Sequence, residues 1–346
     1  MTAGPSAASD TTELGSSEPN SIEANAPSSA SGLEKGELLR LQRRSDAKGL
    51  TRLLGHLLAI AASVSLYTFA MQRGWHWAVV GLCLAAYGFT LVTCFAAMHE
   101  CVHRTAFKSH SLNDTVGWFA GLLSFYNSTY YRPYHAWHHR YTQIPGKDPE
   151  LEDPKPADWS SYLIELSGVT WWLGKLGTYA KLGRGKVSGY PFLNEQNARA
   201  VVRSVRLQLA AYGAAIAVSV GLGQAYFVSY WLLPVALAQP LLRAILLAEH
   251  TGCTLDDNAL TNTRTTHTLM PIRYLMWEMP YHAEHHRHPA LPFFALREAH
   301  VTLRPHLSHV ADRGYGGMHR ELLRTFKSKS QSQSAARVQP NHEPRH

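Results

Sequence analysis

The chain has 346 residues and a formal net charge of +8, enough for one large membrane domain or two small soluble ones. Its mean hydropathy of -0.18 is soluble-like only on average, because polar ends dilute concentrated apolar segments. The basic residues lie beside those segments, where they meet anionic lipid headgroups, and this excludes a nucleic-acid partner as the natural reading of the charge.

Residues 1–34 are rich in Ser, Ala and acidic groups, contain no Lys or Arg, and lack a sustained apolar run. Such a stretch buries too little surface to offset its ordering entropy, so it reads as disordered. We expect a tail over 1–49 that ends in a basic juxtamembrane segment, with no charged-then-apolar signal peptide pattern. Leu53–Met71 and Trp75–Met98 follow, separated only by Gln72, Arg73 and Gly74. Each is long enough to cross a hydrocarbon core of about 30 Å, and the short turn makes them an antiparallel hairpin. Val116–Tyr126 and Leu163–Leu173 are apolar but too short to span. The second follows Trp159 and carries Trp171 and Trp172, with Lys175 and Lys181 beyond, the pattern of an amphipathic helix in the headgroup region. Leu207–Gly223 and Phe227–Ala248 form a second hairpin; Pro234 and Pro240 predict kinks in its second arm, and Arg243 snorkels near its end. The membrane domain then covers 50–310, and 311–346 is a polar, basic tail.

Lys35, Arg40, Arg43, Arg44, Lys48 and Arg52 precede the first span, whereas the two far-side turns contain only Arg73. The positive-inside rule therefore places both termini and the 99–206 connection in the cytoplasm. The Asn-x-Thr triplets at Asn113 and Asn127 would face the cytosol and are chance matches. Cys83, Cys94, Cys101 and Cys253 show no CxxC spacing and read as reduced thiols.

Three histidine clusters carry the chemistry. His99 and His103 stand in His-Glu-Cys-Val-His; His135, His138 and His139 in His-Ala-Trp-His-His; His282, His285 and His286 in His-Ala-Glu-His-His. Residues three or four apart share one helix face, so each cluster aims its imidazoles at one point. His250 ends the fourth span at the depth of His99 and makes a ninth ligand, with His267 as its rival. Nine imidazoles exceed what one tetrahedral metal needs and suit two metals. Glu249 and Glu284 adjoin ligands and are placed to orient imidazole N–H groups. His110, His288, His300, His306, His309 and His319 fall outside the clusters and default to the surface.

These boxes, spaced among four spans, resemble those of the membrane fatty acid desaturase superfamily, which read HxxxH, HxxHH and HxxHH. The resemblance covers roughly 50–310 and extends to His-His-Arg-Tyr-Thr at 138–142, Asp148-Pro149-Glu150, and Tyr281. It implies an all-α integral membrane fold, with four transmembrane helices as two hairpins and a cytosolic helical cap holding a di-metal site. It implies that the eight box histidines and His250 hold two iron ions, and that Asn262 or His267 lies where some relatives place further groups near the metals. Oxygen-dependent removal of two hydrogens from a lipid acyl chain is the implied reaction. A hydroxylase or ketolase on the same scaffold is the alternative, and a zinc lipid hydrolase or a receptor is a second. No His-Pro-Gly-Gly signature of a fused cytochrome b5 is present, so electrons are expected from a separate cytochrome b5 or ferredoxin with its reductase. The membrane would be the endoplasmic reticulum in a eukaryote or the inner membrane in a bacterium.

Overall fold

A computed structural model describes residues 32–152 and 155–338, with side chains through 328. The described chain is almost entirely helical: α1 (Lys35–Leu41), α2 (Asp46–Gln72), α3 (Trp77–Val92), α4 (Cys94–Val102), α5 (His110–Ser124), α6 (Ser128–Tyr141), α7 (Trp159–Ser167), α8 (Val169–Gly183), α9 (Glu195–Gly221), α10 (Leu233–His250), α11 (Ala259–Asn262), α12 (Met270–Leu275), α13 (His282–Arg287), α14 (Phe293–Leu303) and α15 (Gly314–Val338). A two-stranded parallel bridge pairs β1 (Thr265–Thr266) with β2 (Val310–Ala311).

Four helical segments are long and apolar enough to cross a membrane: Asp46–Gln72, Trp77–Val102, Glu195–Gly221 and Val228–His250. Their outward faces expose Leu54, Leu58, Leu82, Val218, Val220 and Leu241, side chains that water would not tolerate as a continuous band. This is an all-α integral membrane protein. Inside, Leu91, Val92, Met98, Val235, Ala238 and Leu242 form the fully covered part of the main core. α3 approaches α10 closely because Gly88 has no side chain; a Cβ there would lie 2.1 Å from the Pro234 carbonyl oxygen.

The prolines of the fourth apolar segment act locally. Val228–Leu232 forms a π-type turn immediately before α10, and Pro234 occupies the first turn of that helix. Pro234 brings no N–H to the Tyr230 carbonyl four residues back. The Tyr87 hydroxyl donates to that carbonyl instead, at 2.7 Å.

Three expectations need correction. The amphipathic stretch at 163–173 is two helices, α7 and α8, broken at Gly168, whose φ of 72° and close approach to Gln239 both favour glycine. The segment from Gly32 to Ser45 belongs to the folded unit rather than to a tail over 1–49. Leu33 and Leu41 are buried and Leu38 packs with them against Leu296, Ala299 and Leu303 of α14. At the other end α15 replaces the expected polar tail, because Phe326, Leu322 and Leu323 cover Tyr162 and Leu247. The remaining tail expectations, for 1–31 and 339–346, lie outside the described residues.

Asn113 and Asn127 are buried with their amides engaged, so neither triplet is open to modification. All four cysteines are free thiols.

Candidate metal centre

The centre is assembled from helix ends. His99 and His103 are four residues apart at the end of α4, a helix buried throughout, so their rings leave the same face with centroids 5.0 Å apart. α6 starts at Asn127, whose Oδ1 accepts from the Tyr130 backbone N–H at 3.0 Å and caps the helix. The same side chain donates to Gln208 Oε1 (2.8 Å) and Ser204 Oγ (3.0 Å) on α9. That double attachment fixes the start of α6 and hence the positions of His135, His138 and His139. The short α13 brings in His282, His285 and His286, and α10 ends on His250.

All nine imidazoles converge, in two sets. Ring nitrogens of His99, His103, His135, His139 and His285 lie within 4.8 Å of one another, and those of His138, His250 and His286 meet the same limit. His282 joins the second set, its Nε2 being 3.3 Å from His250 Nε2. Glu150 lies at the edge, grouped with His135 and His138. His139 Nε2 is 3.0 Å from His135 Nε2 and 3.1 Å from His285 Nε2. Two nitrogens bound to one metal at about 2.1 Å and a right angle lie about 3 Å apart, so these spacings suit ligands of a shared ion. Both nitrogens of His99 and the Nε2 atoms of His103 and His286 are buried without a hydrogen-bond partner. Bare buried nitrogens are costly, and a metal ion supplies the partner they lack. The residues present therefore fit a buried metal site.

Groups outside the cluster aim three rings of the second set. Asp148 Oδ1 accepts from His138 Nδ1 at 2.9 Å, and Asp148 is itself held by the backbone N–H groups of Gln143 and Glu150. Thr142 donates its hydroxyl proton to the His138 carbonyl, leaving its oxygen to accept from His286 Nδ1 at 3.2 Å. The Asn262 backbone carbonyl accepts from His250 Nδ1 at 3.2 Å. Each bond occupies Nδ1 and turns Nε2 toward the centre.

Burial, and then neighbouring imidazoles, drive His135, His139, His282, His285 and His286 well below the usual histidine pKa. His103 falls to about 3, through burial and then Arg132. These rings are neutral at pH 7, the form that binds metal. His138 is raised instead: burial lowers it, but Glu150 and Asp148 together outweigh that.

The structure separates the remaining sequence expectations. Of the two rivals, His250 lies in the cluster and His267 does not; His267 pairs with His300 and Asp312 near the surface. The Asn262 side chain ties Thr142 and Asp256 carbonyls together, and only its backbone oxygen faces a cluster histidine. Glu249 comes within 3.5 Å of His282 Nε2. Glu284 does not orient a cluster imidazole: its carboxylate turns away to His300 Nδ1 and Thr265 Oγ1. His300 is therefore mostly buried rather than a surface residue. His319 is likewise engaged, by the Tyr162 hydroxyl and the Ala244 carbonyl. Sequence reading assigned no role to Thr142, Asp148 or the Asn262 carbonyl. The first is readable in hindsight, since it lies four residues after His138 on the same helix face.

Comparison with known proteins agrees with this geometry. A family model described as fatty acid desaturase matches residues 75–316. An sn-1 oleoyl-lipid 12-desaturase of Picosynechococcus sp. is 26% identical over 306 residues, covering 80% of this chain and 86% of the relative. The enzyme of the same description from Synechocystis sp. is 24% identical over 63% of this chain and 66% of its own length. A sphingolipid delta(4)-desaturase DES1-like protein of Oryza sativa subsp. japonica is 30% identical, over 36% of this chain and 38% of its own.

Proposed function

Because the chain belongs to the fatty acid desaturase family, we propose that it is an oxygen-dependent di-iron enzyme that introduces a double bond into the acyl chain of a membrane lipid. The observation that carries this reading is the convergence of nine imidazoles in two sets at one end of the apolar helices. His99, His103, His135, His139 and His285 would hold one iron; His138, His250, His282 and His286 would hold the other. When bound, the iron pair supplies the oxidising power that removes two hydrogens from an unactivated chain. Asp148, Thr142 and the Asn262 carbonyl keep three of the rings turned inward. The burial of the cluster excludes bulk water, and Glu150 stands at its edge. Two relatives named for acting on sn-1 oleoyl lipids support an acyl chain carried on a lipid as the substrate. Electrons come from a separate cytochrome b5 or ferredoxin system. The basic residues preceding α2 support four crossings with both termini and the metal centre in the cytoplasm.

The test is lipid profiling of a host that expresses the chain with a reductase. The expected product lacks two hydrogens, forms only in air, and accompanies about two irons per chain. His138→Ala and His285→Ala should abolish it while the protein stays in the membrane, and His309→Ala should not. Equal product under strict anaerobiosis without reductant sinks the oxygenase reading. A product heavier by one oxygen keeps the scaffold and transfers the chain to the hydroxylases.

A further inference from the structure

Outside the metal centre, several buried donors lack an acceptor among the described residues, and one group of them gathers around Tyr126. Tyr126, in the turn between α5 and α6, accepts two hydrogen bonds at its hydroxyl, from Trp171 Nε1 at 3.1 Å and Arg243 Nη2 at 3.0 Å. Both phenol lone pairs are then taken, and its own proton has no acceptor among the described residues. Arg243 Nε is buried and also without a partner. Lys175 Nζ lies 3.7 Å above the centre of the Tyr126 ring and 5.8 Å from that of Trp171. No carboxylate lies within 4.0 Å of it among the described residues, although Glu150 acts on it at longer range. The Arg243 guanidinium is 4.0 Å from Glu165, a distant contact for an ion pair. Two partly buried cations thus lie side by side, facing Glu165 only at 4.0 Å and Glu150 only at longer range.

We propose that Lys175, Arg243 and the Tyr126 hydroxyl form the site that receives the oxyanion at the head of the acyl substrate, a phosphodiester or a carboxylate. The proposal rests on the lipid substrate reading above and adds the recognition of its polar end. Aromatic rings balance a buried cation in part, and an oxyanion would add charge-assisted hydrogen bonds from these donors. Burial, and then the neighbouring Arg243, pull Lys175 down to about 7, against the opposing pull of Glu150. Location supports the assignment. Exposed Leu163, Ile164, Val169, Leu173 and Leu176 place α7 and α8 at the apolar edge of the headgroup layer. Arg243 precedes His250 by seven residues on α10, about 10 Å along its axis. Rings connect the two sites: Tyr126 lies 4.6 Å from Phe95, which lies 6.1 Å from His99, and Tyr131 stacks on His135 at 4.9 Å. Packed core rings thus run continuously from the proposed head site to the imidazoles.

Lipid retention tests this without turnover. The full chain is placed in nanodiscs holding equal mole fractions of phosphatidylglycerol, oleic acid and monogalactosyldiacylglycerol, then extracted gently, and bound lipid is counted by mass spectrometry. The wild type should retain an anionic lipid about fivefold over the galactolipid, and the lipid enriched tells phosphate from carboxylate. Lys175→Gln should bring the ratio to unity and Lys175→Arg should keep it. Arg243→Gln should also remove the preference, but it breaks the bond to Tyr126, so Lys175→Gln decides. Lys181→Gln, on the exposed face of α8, controls for general surface charge. A wild type without preference, a preference that survives Lys175→Gln, or an equal loss in Lys181→Gln overturns the proposal. Selective retention with no desaturated product from any lipid would instead count against the desaturase reading alone.

Discussion

His138 shows how an imidazole is made ready for a metal by groups that never touch the ion. Its Nδ1 is bound by Asp148, a carboxylate pinned by two backbone N–H groups, so the ring can neither rotate nor exchange tautomer freely. Asp148→Ala should therefore weaken metal retention about 10–100-fold, although every proposed ligand remains. Chelator competition on purified protein, followed by metal analysis, gives the number. Asp148→Asn should fall between, because its amide oxygen still accepts from Nδ1. Retention that is unchanged in the alanine variant would show that packing alone holds the ring. The nine imidazoles were legible in sequence because spacings of three and four put them on common helix faces, and because His250 closes an apolar span. His300 was not. Its pairing with Glu284 depends on α14 lying against α13, a contact between segments whose relation no local pattern encodes.

At the scale of the helix, α10 begins with a defect and compensates for it. Pro234 withholds an N–H from Tyr230, and Tyr87 on α3 supplies a hydroxyl donor across the helix interface. Tyr87→Phe should lower stability by about 1–2 kcal/mol, read as a lower Tm in detergent, because a carbonyl in an apolar setting loses its donor. Adding Pro234→Ala restores an N–H at that position and should recover most of the loss. If Tyr87→Phe melts with the wild type, the carbonyl has another donor and this account fails. The four long apolar helices were readable from length and hydropathy, since apolar runs of that size have few other uses. Helices α1 and α15 were not, for a different physical reason. Leu33, Leu38 and Leu41 are few and set among charges, so their composition reads as solvated chain. They are ordered because α14 offers an apolar face to cover. The break at Gly168 was equally hidden, since it answers to the approach of Gln239 from another helix.

At the scale of the whole molecule, one arrangement of the four apolar segments brings the boxes together. His99 and His250 stand near the ends of the second and fourth, so if each segment crosses, an even number of crossings delivers both to the same side. The same parity would put α1 and α15 on that side as well. The sign of the charge supports the proposed compartment: four basic residues precede α2 and two more lie in its first two turns, against Arg73 alone in the opposite turns. A cytoplasmic centre would also have direct access to a soluble reductant. Single-cysteine labelling decides the matter in intact cells. Cys83, Cys94 and Cys101 are buried, so only Cys253 needs replacement to lower the background. Arg73→Cys should react with a membrane-impermeant maleimide added outside. Lys147→Cys, exposed in the connection after box two, should react only once the membrane is opened. Labelling of position 147 from outside would invert the molecule and move the metal centre away from the cytoplasm. Labelling of both positions from outside would break the parity, and two hairpins would no longer describe how the chain crosses.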